Sequence, residues 1–128
     1  MAGIEFTDYD RNLLPAWVGD YLSREHLLPA GGMVDPSEFT PDSDGRVYIP
    51  SGTLVGRTLV ERDAGTGYGP YAEGDDDVYL IVHDVRDANR DPEVTLYRHG
   101  SVVKVNFLPE GVDAAAVEQR YATQIGVQ

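Results

Sequence analysis

Val78-Tyr79-Leu80-Ile81-Val82 is the stretch on which the fold turns. Five apolar residues in succession, entered through the acidic turn Gly74-Asp75-Asp76-Asp77, offer no polar face to water. So short a run reads as a central strand covered on both sides. Around it lie further β-type runs separated by turn residues. Upstream, Asp42-Ser43-Asp44-Gly45 turns into Arg46-Val47-Tyr48-Ile49, and Ser51-Gly52 leads into a strand over 54–61. Downstream, residues 87–91 turn into a strand over 94–98, and His99-Gly100 into one over 101–107, where Val103, Val105 and Phe107 alternate with Val102, Lys104 and Asn106. The chain closes on a helix with Asp113 as N-cap, Val112 and Val117 as a hydrophobic staple, and Gly126 past its end. Ala114, Val117 and Tyr121 share the inner face of that helix. The expected fold class is mainly β, a small barrel-like domain with one C-terminal helix.

Ahead of these strands the texture differs, and the chain divides near residue 46 into a leading segment, 1–46, and a β-rich domain, 47–128. Pro15, Pro29, Pro36 and Pro41, with Pro50 just after, leave little room for a regular sheet. The segment nevertheless holds Ile4, Phe6, Tyr9, Leu13, Leu14, Trp17, Val18, Tyr21, Leu22, Leu27 and Leu28. A linker would be poor in such residues, so this segment needs a surface to lie on, its own core or another protein. Leu14, Trp17, Val18, Tyr21 and Leu22 fall on one helical stripe, which predicts a short helix within 12–25 capped by Asn12. It would form when docked, since so short a helix is marginal alone.

Composition excludes several functions. The 128 residues hold no cysteine, which removes disulfides, cysteine–zinc sites and thiol nucleophiles. With 22 acidic against 10 basic residues the formal charge is −12, the wrong sign for binding a nucleic-acid backbone. No apolar run reaches the ~18 residues of a membrane span, and the first residues show no signal-peptide pattern. Asp dominates the acids and Arg the bases, Lys104 being the single lysine. Two explanations stand side by side: a surface adapted to high salt, or a genome that favours Asp and Arg.

No constellation for chemistry stands out. Gly65-Thr66-Gly67-Tyr68-Gly69 is glycine-rich, but it lacks the spacing of a dinucleotide loop and the Lys-Ser/Thr of a P-loop, and reads as a flexible connection. His83, Asp84, Asp87 and His99 are of metal-binding type without a ligand spacing, and His83 reads as a buried or interface histidine on the face of Tyr79 and Ile81. Asp75-Asp76-Asp77 reads as a solvated turn. Ser23, Ser37, Ser43, Ser51 and Ser101 lie in no nucleophile elbow. The chain is therefore expected to be no enzyme and to carry no cofactor or metal.

One resemblance supplies a function. The segment Tyr48-Ile49-Pro50-Ser51-Gly52-Thr53-Leu54-Val55-Gly56-Arg57-Thr58 resembles the opening of bacteriophage head decoration proteins similar to that of lambda, with Pro50, Gly52, Thr53 and Gly56 at the motif positions. The likeness continues through Gly69-Pro70-Tyr71, the strand over 78–85 with Asp84, and a hairpin with Tyr97, Arg98 and Gly100, ending in the Ala-rich helix. It implies a β-tulip domain that forms a homotrimer on the outer surface of the virion's expanded capsid, with the major capsid protein as partner and neither nucleic acid nor membrane. It implies further that the leading arm lies over the shell, with Ile4, Phe6, Tyr9, Leu13, Leu14, Trp17, Val18, Tyr21 and Leu22 making the contact. The rival readings are a non-viral structural or ligand-binding β-module, which requires Trp17 buried in its own core, and a small metal enzyme built on His83 and His99.

Overall fold

A computed structural model describes residues 15–19, 22–99 and 103–121. Among them the strands are β1 (Gly32–Met33), β2 (Leu54–Arg57), β3 (Gly69–Pro70), β4 (Asp77–Ile81), β5 (Glu93–Val94) and β6 (Leu96–Tyr97). Two helices accompany them, α1 (Leu59–Asp63) and α2 (Ala114–Arg120). The domain is thus small and mainly β, with two sheets. The larger runs β3-β2-β4-β6 and the smaller pairs β1 with β5. Every pairing between strands is antiparallel.

The expected central strand is central. β4 lies between β2 and β6, with Leu54 opposite Leu80 and Leu80 in turn opposite Tyr97. Its alternate residues enter two different cores, the period-2 geometry of a strand. Val78, Leu80 and Val82 join Leu54, Tyr97, Val103, Val117 and Tyr121 on the face covered by α2. Ile81 joins Val34, Val55, Tyr68, Val94 and Leu96 on the face covered by the β1–β5 ribbon. One strand therefore needs apolar residues on both sides.

Several expected elements come out differently. Residues 15–19 form a turn and 24–26 a 3-10 turn, so the described part of 12–25 holds no α-helix. The backbone there is used otherwise: Val18 bridges Val103, and the Lys104 N–H donates to Trp17 O. Tertiary pairing overrides helical periodicity. The strand expected over 54–61 ends at Arg57, because Thr58 and Glu61 make a reciprocal capping box and start α1. The strand expected over 94–98 divides at Thr95, its halves serving the two sheets. The run expected over 101–107 ends in a 3-10 turn over Val105–Phe107, and Gly100, Ser101 and Val102 lie outside the described residues. Helix α2 starts as expected, Asp113 accepting from the Ala116 N–H. Its inner face is Ala116, Val117 and Tyr121, with Ala114 exposed.

Among the described residues, Asp35, Asp42, Asp75, Asp87 and Asp113 accept backbone N–H bonds within their own turns, and Asp84 accepts one from the distant Ser51. Local capping by the short carboxylate is what Asp does best in turns. Part of the aspartate excess is therefore architectural.

Candidate functional site

Two segments that carry the resemblance, 48–58 and 78–85, meet at one turn. Pro50-Ser51-Gly52-Thr53 links the extended Val47–Ile49 stretch to β2, and each residue in it is tied down. The Ser51 N–H donates to Asp84 Oδ1 at 2.7 Å, and the Ser51 hydroxyl donates to Val82 O. Trp17 Nε1 donates to Ser51 Oγ at 3.0 Å, so the indole caps the turn from the leading segment. The Thr53 hydroxyl donates back to Pro50 O. Gly52 has φ +91°, and a Cβ there would meet Trp17 Cδ1 at 2.9 Å and Pro109 Cδ at 2.8 Å. Both the conformation and the space demand glycine. Gly56, in β2, would set a Cβ against the Asp75 side chain.

Trp17 and Val18 are core residues. Trp17 is 2 % exposed and stands edge-on to Tyr97, ring centres 5.6 Å apart. Val18 is 9 % exposed, and Leu22 packs on the same cluster. This corrects the expectation that Trp17 and Val18 face a capsid, since their surface is already covered by their own domain, whereas Leu22 is half-buried. The cores also take Leu27, Leu28, Val34 and Phe39, so the described residues of the leading segment supply core side chains to the strand domain. Ile4, Phe6, Tyr9, Leu13, Leu14 and Tyr21 lie outside the described residues.

Tyr97 is wholly buried, and Arg98 follows it at the end of β6, its N–H donating to His26 O. Beyond that point, side chains of α2 complete the sheet. Tyr121 places its hydroxyl between β4 and β6, accepting from the Leu80 N–H at 3.0 Å and donating to Tyr97 O at 2.7 Å. Arg120 Nε donates to Val78 O at 2.7 Å. These inserted groups escape sequence reading, since nothing in Arg120-Tyr121 signals which backbone groups they will meet.

A second cluster pins the glycine-rich loop. Asp77 accepts from Arg57 Nε and from the Tyr68 hydroxyl, both at 2.8 Å, while Arg57 Nη1 donates to Thr66 O. The guanidinium carbon lies 4.1 Å from the Tyr68 ring centre. Tyr68 is 2 % exposed, and its N–H and C=O bond Met33 and Asp35. The loop expected to be a flexible connection is thus a fixed element of the second core. Asp77, expected in a solvated turn, is the partner of an ion pair.

Burial pushes the Tyr68 hydroxyl well above the usual tyrosine range, helped by its bond to Asp77 and by that carboxylate's charge. Burial does the same to Tyr121, against the opposing charge of Arg120. Both folded-state values lie above the unfolded value of about 10. The folded chain therefore keeps protons that the unfolded chain releases. Their stabilising contribution is complete below about pH 10 and is lost as pH rises above it. Urea midpoints are expected to fall between pH 9 and pH 11, and the Tyr68→Phe variant should lose part of that slope. A midpoint constant over this range would contradict the assignment.

The expected metal candidates are not brought together. His83 is exposed, which corrects the buried half of its reading as a buried or interface histidine, and His99 is exposed as well. Asp84 is committed to the Ser51 N–H, and Asp87 to those of Val47 and Asn89. Among the described residues no three His, Cys, Asp or Glu side chains are grouped to hold a metal, and no helix is long and apolar enough to cross a membrane. Grooves among the described residues include one of about 790 Å³ beside Arg24 and Arg98, one of about 710 Å³ beside His83 and Arg90, and one of about 280 Å³ between Pro50, Tyr71 and Pro109. Comparison with protein families, with characterised proteins and with solved structures finds no match to this chain.

Proposed function

We propose that the protein decorates the outer surface of an expanded viral head. In this reading it is a β-tulip domain that trimerises and clamps neighbouring major capsid proteins, acting by binding and not by catalysis. The observation that carries the reading is the resemblance of the 48–58 run and of Tyr97-Arg98 to head decoration proteins. Its support from the fold is that these separate stretches are spatial neighbours. The Pro50–Thr53 turn feeds β2, β2 pairs with β4, and β4 pairs with β6.

The shell contact of this reading falls to Ile4, Phe6, Tyr9, Leu13, Leu14, Tyr21 and the half-buried Leu22. Trp17 and Val18 leave it because they are buried in the domain itself. Apolar side chains of this kind serve as anchors in peptide recognition, and three arms acting together would turn a modest contact into a firm one. The test mixes the purified chain with undecorated expanded shells and sediments them. Full-length protein is expected to pellet with shells, and a chain lacking residues 1–14 to stay behind while keeping its native unfolding transition. Removing more than those residues would cut into the core and spoil the comparison. Full-length protein that stays in solution at every shell concentration would overturn the proposal.

The burial of Trp17 favours a second reading, a self-contained structural or ligand-binding β-module. A free chain that sediments as a monomer and ignores shells would select it.

A further inference from the structure

The turn that leads into Val47–Ile49 contains the single Asp-Gly pair of the sequence, Asp44-Gly45. Asp42 holds this turn together. Its carboxylate accepts the N–H groups of Asp44 and Arg46, both at 2.9 Å, and its C=O accepts the Gly45 N–H at 3.0 Å. The Asp44 carboxylate is not used in this way. It is exposed, and among the described residues it makes neither a hydrogen bond nor an ion pair. By contrast, backbone N–H groups engage the carboxylates of Asp35, Asp42, Asp75, Asp84, Asp87 and Asp113. Gly45 is exposed with φ +80°, and a Cβ placed there would meet nothing within 4 Å. No side chain of its own crowds its nitrogen. An unengaged carboxyl thus sits one residue ahead of an unshielded backbone nitrogen.

We propose that Asp44 is a modification site, at which aspartate converts to isoaspartate through a cyclic imide. The Gly45 nitrogen attacks Cγ of the protonated Asp44 carboxyl. The N–Cγ bond forms, and the carboxyl OH leaves with the amide proton as water. Water then adds to one of the two carbonyls of the five-membered ring. Opening at Cγ restores aspartate. Opening at the main-chain carbonyl breaks the original peptide bond, leaving Gly45 joined through the side chain and a free α-carboxylate on residue 44. Water is the one co-reactant, and the mass of the chain is unchanged. Asp42 precedes Ser43, and its carboxylate would have to release two N–H groups before reacting. Glu73-Gly74 and Glu110-Gly111 would have to close a larger ring. The product adds one atom to the main chain between Asp42 and Gly45, whose C=O accepts from Asn89 Nδ2 at 3.2 Å. The turn is altered, while the pairing of Ile49 with Val85 beyond it stays in place. The proposal is independent of head decoration and stands whether or not shells bind.

The test incubates the full-length chain in heavy-oxygen water, digests it with trypsin in ordinary water and reads the 25–46 peptide by electron-transfer fragmentation. Residue 44 is expected to gain one heavy oxygen and to give isoaspartyl fragments, while residue 42 of the same peptide stays unlabelled. A free peptide of residues 41–48 supplies the reference rate. The folded chain has only the Gly45–Asp42 bond to open first, which slows conversion about tenfold at most. Asp44→Glu should abolish the labelling, and Asp44→Asn should convert faster, with loss of ammonia. The unaltered chain decides the matter without either variant. Equal labelling of residues 42 and 44, no isoaspartate at 44 while the free peptide converts, or a folded rate more than about tenfold below that of the peptide would each overturn the assignment.

Discussion

Trp17→Ala is expected to lower the unfolding free energy by about 3–5 kcal/mol, the cost of deleting a buried indole from a packed core. Three losses combine in it. The ring leaves a cavity against Tyr97 and the cluster formed with Leu80, Val103 and Val117. The Ser51 hydroxyl loses its donor. The Gly52 backbone loses the surface it packs against. Trp17→Phe separates these terms, since it keeps most of the apolar volume and removes the N–H, with an expected cost of about 1–2 kcal/mol. Urea unfolding measures both. Because Trp17 is the single tryptophan, its emission also tests the placement: it should be blue-shifted in the isolated protein and move to the red only on unfolding. A mild effect of Trp17→Ala, or a red emission maximum in the native chain, would return this residue to the surface contact expected from the sequence.

Tyr121→Phe should cost roughly 2–4 kcal/mol, although it removes a single oxygen. That oxygen satisfies the Leu80 N–H and the Tyr97 C=O, two buried backbone groups where β4 meets β6 in the larger sheet. Phenylalanine preserves the ring packing against Tyr97, takes the acceptor from the Leu80 N–H and removes the donor that Tyr121 supplies to the Tyr97 C=O. Hydrogen exchange gives a site-specific check. The Leu80 amide should lose protection, while the Ile81 amide, which donates to Thr53 O, should keep the protection of the global transition. The variant should also lose part of the alkaline destabilisation assigned to the buried tyrosines. Unchanged stability and unchanged Leu80 exchange would show that the hydroxyl does not hold the strands together.

The central strand was legible because its signal is local. A run apolar on both faces has one economical placement, between two covering layers, and residues 78–82 occupy it. The start of α2 was legible for the same reason, since Asp113 and Val117 act within one turn of helix. The helix expected in the leading segment was misread because its apolar spacing was genuine and its cause was different. Trp17 and Val18 are adjacent core residues on a bridged stretch, and their register with Leu14 and Tyr21 does not produce a helix over 15–19. Leu54–Glu61 was misread as one strand because the Thr58–Glu61 capping box was not weighed against β-propensity.

The candidate site was less legible than the fold. Pro50, Gly52 and Thr53 were picked out by resemblance, but their physical roles depend on partners far along the chain. Trp17 lies 34 residues from Ser51, and Asp84 lies 33 residues from it. Arg57 and Asp77 are 20 residues apart, and Tyr121 and Leu80 are 41. By itself the sequence determined a mainly β chain, the position of its central strand, the beginning of its last helix and an acidic surface without thiol chemistry, because those follow from composition and from contacts within a few residues. Tertiary structure alone decided that Trp17 belongs to the core and that Tyr121 completes a sheet. Each of those depends on which distant groups share a few ångströms of space, and one-dimensional spacing carries no record of that.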